Sequence, residues 1–200
     1  MFRTLALPVA LALSAMPVVA SAQQRSPSYE FLEAVRGEDG DKVTQALQQS
    51  GPTVIDTRDR STGETALHIV ARKGNLPYLR FLLSKGANAN AQDGQGTTAA
   101  LIAAERGWTE ALDVLVLVKA NMNLANSRGE PPLIRAVQTR NLEAARLILS
   151  AGGNPDKADV IAGMSARDYA RADTRTPALR KLLDEAPKAA KAANAAGPQL

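Results

Sequence analysis

Four glycines at an almost constant spacing constrain the fold of this chain more than any other feature of its sequence. Gly63, Gly96 and Gly129 follow one another at intervals of 33 residues, and Gly163 comes 34 residues after the third. A period of about 20–50 residues is the signature of repeat proteins, in which each unit contacts only its neighbours. We therefore expect a row of stacked units.

A second marker keeps the same period further along each unit. It occurs at 86–90 as GANAN, at 119–123 as KANMN and at 152–156 as GGNPD. Two separate markers that share one period are very improbable as a chance match. The repeat is therefore the basis on which the rest of the chain is interpreted.

Each unit has the pattern of two short helices. In each unit a Ser or Thr begins a first apolar run, as is typical of a helix N-cap, and Thr65 precedes the run 66–71 in this way. A glycine such as Gly74 then interrupts the pattern before a second apolar run. Gly86 and Gly152 stand just beyond the second run, where a left-handed C-cap favours glycine.

At 65–71 the sequence TALHIVA resembles the T-P-L-H-x-A signature of the ankyrin repeat family, with alanine in place of the proline. The resemblance covers about residues 28–185. It implies an all-α solenoid of stacked helix-turn-helix units joined by β-turn loops, with about five repeats, of which three are full and two are degenerate ends. The predicted units are 28–58, 59–92, 93–125, 126–159 and 160–186.

The composition and motifs exclude several kinds of chemistry. The chain has no cysteine, so disulfides, zinc–thiolate sites and cysteine nucleophiles are excluded. It has one histidine, His68, to which the resemblance assigns a structural hydrogen bond near the start of its helix. The acidic turn at 37–41 lacks the EF-hand calcium pattern, and no nucleophile or phosphate-binding motif occurs. We expect no catalytic, cofactor or metal site.

The net charge of +4 comes from 24 basic and 20 acidic side chains. Arg3, Lys188 and Lys191 lie outside the predicted repeats, which leaves 21 basic side chains against the same 20 acidic ones. A nucleic-acid-binding domain carries a basic face rather than a near-neutral balance. We therefore expect no nucleic-acid partner.

Residues 1–22 have the pattern of a secretory signal peptide. A basic start at Arg3 precedes the uncharged apolar stretch 5–19, and Ala20-Ser21-Ala22 forms a small-residue cleavage site. We predict cleavage between Ala22 and Gln23 and export, with the periplasm as the expected location and secretion as the alternative. We expect no membrane association after cleavage.

The tail 187–200 is predicted to be disordered, the alternative being an extension of the last helix.

The third unit departs from its neighbours at the end of its second helix. Leu117 and Val118 replace the polar pair at 84–85 of the preceding unit, and Lys119 replaces its glycine. One interpretation is a locally longer helix that a neighbouring element covers. The other is an exposed apolar patch for a partner or for self-association, which includes Trp108 of the same unit.

The resemblance also implies where a partner would bind, because the family uses its turn tips and the solvent-facing ends of its first helices. The matching tip residues are Ser61, Thr62, Glu64, Gly94, Gln95, Thr97, Ser127, Arg128 and Glu130. The matching helix ends are Arg72, Lys73, Glu105, Arg106, Gln138 and Thr139. These residues vary from unit to unit while the packing residues repeat, and their modest basic bias favours an acidic patch on a protein.

These observations predict an exported, monomeric, non-enzymatic module that binds a partner protein through the concave face of the stack. Three alternatives stay open. In the first, the protein is a secreted effector that engages host proteins. In the second, it stabilises or inhibits a periplasmic enzyme. The third alternative is an enzyme that uses carboxylates alone.

Overall fold

The computed structural model describes residues 26–188, and within this range the chain forms ten α-helices in five consecutive pairs and no strand. The pairs are α1 (Pro27–Arg36) with α2 (Gly40–Ser50), α3 (Ala66–Lys73) with α4 (Leu76–Ser84), α5 (Ala99–Arg106) with α6 (Thr109–Leu117), α7 (Pro132–Gln138) with α8 (Leu142–Ser150), and α9 (Ala166–Ala172) with α10 (Pro177–Glu185). A 3₁₀ helix, Pro52–Asp56, follows α2. The predicted all-α repeat solenoid is confirmed.

The helices of successive pairs pack on one another to form a continuous core. The first helices stack in the order α1, α3, α5, α7 and α9, and the second helices continue from α4 through α6 and α8 to α10. Fully buried side chains occur in every pair; examples are Phe31, Leu67, Leu112, Ile148 and Leu179. The apolar side of each pair is therefore buried by its neighbours, as a repeat scaffold requires.

The starts of the first helices follow the predicted capping pattern with one exception. Thr98 Oγ1 accepts the Leu101 N–H at 3.2 Å, and Ser165 Oγ accepts the Asp168 N–H at 3.2 Å. The prediction of a Ser or Thr in each unit is wrong for the fourth, where Pro131 is the N-cap and Pro132 opens α7. Pro131 gives α7 no side-chain cap, but proline suits the first helical position at Pro132, because its φ is already helical and it has no N–H to leave unpaired.

The end of α6 corrects one of the two interpretations of the third unit. Helices α4, α6 and α8 each have nine residues, so α6 is not locally longer. Gly86 and Gly152 take the predicted left-handed conformation with φ of 91° and 85°, and Lys119 takes it as well with φ of 58°. The helix therefore stops at the same place without the glycine, and Lys119 adopts a backbone conformation that ordinarily favours glycine.

Two predictions concern the ends of the chain. The predicted signal peptide and its cleavage site at Ala22–Gln23 lie outside the described residues, as does the predicted disordered tail beyond Lys188. Among the residues that the structure describes, no helix is long and apolar enough to cross a membrane.

Candidate functional site

The loops that join successive pairs are tight turns, at 59–64, 93–97, 126–130 and 159–164. Each is opened by an aspartate or asparagine whose Oδ1 accepts the backbone N–H two residues further on. These residues and their distances are Asp59 (2.8 Å), Asp93 (2.8 Å), Asn126 (3.0 Å) and Asp159 (2.9 Å). A side chain that bonds its own backbone in this way fixes the turn locally.

Neighbouring turns are also joined to one another through their backbones. Gly94 N donates to Thr62 O at 2.9 Å, Ser127 N to Gln95 O at 2.8 Å, and Val160 N to Arg128 O at 2.9 Å. We call the four turns joined in this way the tip row. Its geometry is independent of the exposed side chains, because backbone atoms make all three bonds.

The close approach of two turns explains one of the periodic glycines. A Cβ at Gly63 would lie 2.6 Å from the backbone nitrogen of Gly94, and the φ of Gly63 is +73°. Both the space and the left-handed conformation therefore require glycine there.

His68 links the start of α3 to the next turn. Its ring is fully buried, its Nδ1 accepts the Thr65 N–H at 3.1 Å, and its Nε2 lies 2.8 Å from Thr97 O. A neutral ring with its proton on Nε2 fits both contacts, because a carbonyl only accepts. Burial lowers the pKa of His68 below its ordinary value of 6.5. The hydrogen bond near the helix start that the resemblance implied is therefore present.

Most of the residues that were matched to the family's binding positions are accessible. The exposed ones on the tips are Ser61, Thr62, Gly94, Gln95, Ser127 and Arg128, and those at the ends of the first helices are Arg72, Lys73, Glu105, Arg106, Gln138 and Thr139. The structure thus brings these side chains to one tip row and to the helix ends behind it.

Glu130 is not available to a partner, in contrast to the sequence prediction. It is 6% exposed, and it accepts hydrogen bonds from Asn126 Nδ2 at 2.8 Å and Arg128 Nε at 3.0 Å. Burial alone would raise the pKa of Glu130, but the Asn126 bond and the charges of Arg135 and Arg128 lower it overall. Glu130 stabilises its turn, and its equivalents Glu64 and Thr97 are half-buried.

Two of the basic side chains that were predicted to contact a partner, Arg72 and Lys73, are bonded to other residues of the stack. Arg72 Nε lies 2.6 Å from Glu64 Oε1, and another nitrogen of the same guanidinium lies 3.4 Å from the buried Asp93. Lys73 Nζ donates to the Arg36 carbonyl at 2.6 Å. These side chains join neighbouring units, so the basic bias of the surface is smaller than the sequence indicated.

A second set of structural residues was missed by the sequence analysis. Asn121 N donates to Asn90 Oδ1 at 2.7 Å, and Asn154 N donates to Asn123 Oδ1 at 2.7 Å. In the second and third units an asparagine side chain thus accepts a backbone N–H of the next unit, and in the first unit Asp56 Oδ1 does the same for the Asn88 N–H at 2.8 Å. The signal was present in the sequence, because these asparagines recur in the second marker.

The apolar patch of the third unit is exposed but smaller than expected. Leu117 is 80% exposed and Val118 is 46% exposed. Trp108 is half-buried against the core at the other end of α6, about 13 Å away at 1.5 Å per residue. The prediction that Trp108 belongs to the patch is wrong, because the helix separates them.

No group of three or more His, Asp or Glu side chains that could hold a metal occurs within residues 26–188. In the acidic turn, Asp39 Oδ1 accepts the Lys42 N–H at 3.1 Å. Asp39 therefore acts as the N-cap of α2.

Several curated proteins are similar in sequence to part of this chain. Over 117 residues the chain is 36% identical to human BCL-6 corepressor-like protein 1, a match that covers 58% of this chain and 6% of that protein. The intracellular phospholipase A2 of Caenorhabditis elegans is 38% identical over 106 residues, which is 49% of this chain and 10% of that protein. Human transient receptor potential cation channel subfamily A member 1 is 32% identical over 98 residues, 48% of this chain and 9% of that protein. The chain thus spans a tenth or less of these relatives.

Two family models match the repeats themselves. The model described as ankyrin repeats (3 copies) matches residues 79–159, and the single ankyrin repeat model matches residues 62–94. Both lie within the helix pairs and turns described above. With the helix pairs and the tip row described above, these matches show that the chain contains ankyrin repeats.

Proposed function

We propose that this protein is a non-enzymatic, monomeric interaction module that binds a partner protein through the tip row and the exposed ends of the first helices. The observation that carries the proposal is the tip row itself. Its backbone is held by bonds between turns, while its exposed side chains differ from one turn to the next. A fixed backbone with variable side chains is suited to specific recognition, because little conformational freedom is lost on binding.

The basic side chains that are exposed and not ion-paired within the stack differ from those that the sequence indicated. Arg106 is exposed at the end of α5, and its side chain forms no ion pair with the residues that the structure describes. Arg72 and Lys73 already meet carboxylates of the stack. The proposal therefore assigns Arg106 a larger role in contact with an acidic partner.

Site-specific crosslinking tests the proposed surface. A photoreactive amino acid is placed at Ser61 or Gln95 on the tips, or at Ser84 at the exposed end of α4 as the matched control. The mature chain is exposed to the extracellular fraction and envelope of its own cell. We expect one partner to crosslink from both tip positions and not from Ser84. Crosslinks from Ser84 alone would show that the proposed surface is wrong.

The exposed patch of Leu117 and Val118 is a second candidate interface, and the same crosslinking experiment tests it. Leu117→Ser with Val118→Lys makes the third unit resemble its polar neighbour. Crosslinking from the tips should not change in this variant if the tip row is the interface. Loss of the crosslinks would place the partner on the patch.

Export of the mature chain is a separate proposal, supported by the basic start, apolar stretch and Ala20-Ser21-Ala22 site of residues 1–22. N-terminal sequencing of the protein from its own cell should return Gln23 as the first residue. An intact Met1 in the membrane fraction would contradict it. Recovery from the medium rather than the periplasm would favour the secreted effector over the partner of a periplasmic enzyme.

A further inference from the structure

The two ends of the tip row differ in chemistry. At the first end, Arg60 is exposed, and its side chain forms no ion pair or hydrogen bond with the part of the chain that the structure describes. Arg58 beside it donates to the carbonyls of Gly63 and Gln92 but meets no carboxylate within that part of the chain. Positive charge at this end is therefore not neutralised by the protein itself.

A surface hollow of about 860 Å³ lies between α1 and this end of the tip row. Its charged lining consists of Arg36, Arg58, Arg60 and Asp59. Arg36 is paired with Asp59 at 2.5 Å and with Glu33 at 2.7 Å, so the positive charge offered to a ligand is that of Arg58 and Arg60. The hydroxyls of Ser28 and Thr57 also line it, so hydrogen-bond donors accompany the charge. This combination is complementary to carboxylates.

At the last end, the exposed side chains are apolar. Val160 is 70% exposed and Ile161 is 75% exposed, whereas the equivalent tips carry Ser61, Gln95 and Ser127. Both residues are held in place, because Val160 N donates to the preceding turn and Ile161 N donates to Asp159 Oδ1 at 2.9 Å. They are also β-branched, so their side chains are stiff. A preformed apolar contact of this kind gains from burial by a partner.

The distance between the ends sets the length of a ligand. Three steps separate the turn at 59–64 from the turn at 159–164, and packed helices lie about 8–10 Å apart. The span is thus roughly 24–30 Å, which about seven to nine residues cover in an extended chain at ~3.3 Å each. The turns between them expose small or polar residues such as Gly94 and Ser127, which leave room for a backbone to pass.

We propose that the tip row binds one extended segment of its partner, acidic at the end over Arg60 and apolar at the end over Val160 and Ile161. The proposal rests on the interaction function proposed above and adds the chemistry and length of the bound segment. Positive charge would steer and orient the segment, and the apolar contact would slow its dissociation.

Fluorescence anisotropy with labelled synthetic peptides tests the proposal. The bipolar peptide carries three glutamates, a Gly/Ser spacer of about seven residues and three leucines. One control replaces the leucines with serines, a second replaces the glutamates with serines, and a third shortens the spacer to about two residues, too short for the span. The bipolar peptide should bind the protein at least about tenfold more tightly than any control, because two linked contacts act together.

Matched variants of the protein assign each half of the peptide to its end of the row. Arg60→Glu should weaken the bipolar peptide by about tenfold and reduce its salt dependence, and a peptide with lysines in place of the glutamates should recover the loss. Val160→Ser with Ile161→Ser should reduce the bipolar peptide to the affinity of the acidic control. Leu117→Ser with Val118→Lys, away from the row, should change nothing. Circular dichroism establishes that each variant is folded.

Three outcomes would overturn the proposal. The first is a bipolar peptide that binds no better than its controls, including no binding by any of them. The second is a loss caused by the Leu117 and Val118 variant rather than by the tip variants. The third is sedimentation showing a dimer that the Val160 and Ile161 variant dissociates, since a second copy would then be the occupant. If the first outcome occurs but a partner crosslinks from Ser61 and Gln95, only the bound-segment proposal is wrong and the proposed interaction function is still supported. If a partner crosslinks from Ser84 alone, both the bound-segment proposal and the proposed interaction surface are wrong.

Discussion

The turn side of the stack, formed by the tight turns and the starts of the helices that follow them, is held differently from the back side, formed by the second helices. On the turn side, polar contacts cross from unit to unit, as between His68 and Thr97 O or between Gly94 N and Thr62 O. On the back side, α4, α6 and α8 meet through buried apolar residues such as Leu79, Leu115 and Ile148. The same repeat thus stabilises its two sides with different interactions.

The difference explains how one side can vary in sequence without losing its shape. Apolar packing depends on the volume of each side chain, so the back side tolerates few changes. The turn side depends on backbone atoms and on a few buried polar groups. Its exposed tips are therefore free to change, which is what a recognition surface requires.

The largest effect is expected on the back side. Leu115 is fully buried in α6, and Leu115→Ala should lower the free energy of unfolding by about 2–5 kcal/mol, because it removes packed methyl groups and leaves a cavity. Urea denaturation followed by circular dichroism measures it. A loss below about 1 kcal/mol would mean that packing is not what holds this side.

The turn side should show a smaller but clear loss when its buried polar link is removed. His68→Ala leaves the Thr65 N–H without its partner and removes one of the two contacts of the Thr97 carbonyl, which still accepts the Asp93 N–H. An unsatisfied buried group costs about 1–3 kcal/mol. The same urea denaturation applies. A neutral result would show that His68 is dispensable and that the comparison is wrong on this side.

The pH dependence of stability tests the same residue without mutation. Burial lowers the pKa of His68 in the folded protein below 6.5, so the unfolded chain binds more protons as the pH falls through that value. The free energy of unfolding should therefore decrease from about pH 7 to pH 5, and this decrease should be absent in His68→Ala. Carboxylates such as Asp59, whose pKa is lowered by hydrogen bonds from Ser61 and Arg36, lose their contribution to stability below about pH 5.

A modest effect is expected where the asparagines link the units. Asn123 Oδ1 accepts the Asn154 N–H, and its Nδ2 donates to Gly152 O at 2.8 Å. Asn123→Ala should cost about 1 kcal/mol, because these contacts are partly exposed and water replaces some of them. Thermal unfolding should show a correspondingly small decrease in Tm. A loss as large as that of Leu115→Ala would contradict the assignment.

The smallest effect is expected at the exposed end of α5. Arg106→Ala should change the free energy of unfolding by less than about 0.5 kcal/mol, because its side chain forms no ion pair with the described residues. Lys73→Ala, which the sequence alone would place in the same class, should cost more, since Lys73 donates to the Arg36 carbonyl. Equal losses for the two variants would show that this contact between units contributes nothing.

The sequence was sufficient for the fold because its signals are local and repeated. Gly63, the Thr65 cap and the marker at 86–90 each specify a turn, a helix start or a helix end within a few residues. At the exception, Pro131 makes no side-chain cap, and the fixed φ of Pro132 favours the helix start instead. The end of α6 was open to two interpretations because Lys119 takes a left-handed conformation, which a lysine in the sequence does not predict.

The candidate site was less predictable because exposure depends on contacts between units. Glu130 and Arg72 occupy positions that vary in the repeat, yet their partners at 126, 128 and 93 lie in the folded turns. The turn-opening Asp59 could have been found, since an Asp or Asn recurs at this place in each later turn. The separation of Trp108 from Leu117 follows only from the position of the helix between them.

Hydrogen exchange of four equivalent backbone amides tests most directly whether the tip row is preformed. Gly94, Ser127 and Val160 donate to the preceding turn, whereas the Arg60 N–H has no hydrogen-bond partner among the described residues. Measured by NMR on the free protein, the first three amides should exchange slowly and Arg60 should exchange rapidly. Rapid exchange at all four positions would show that the turns are not joined in the free protein, and the account of a fixed surface with variable tips would then be wrong.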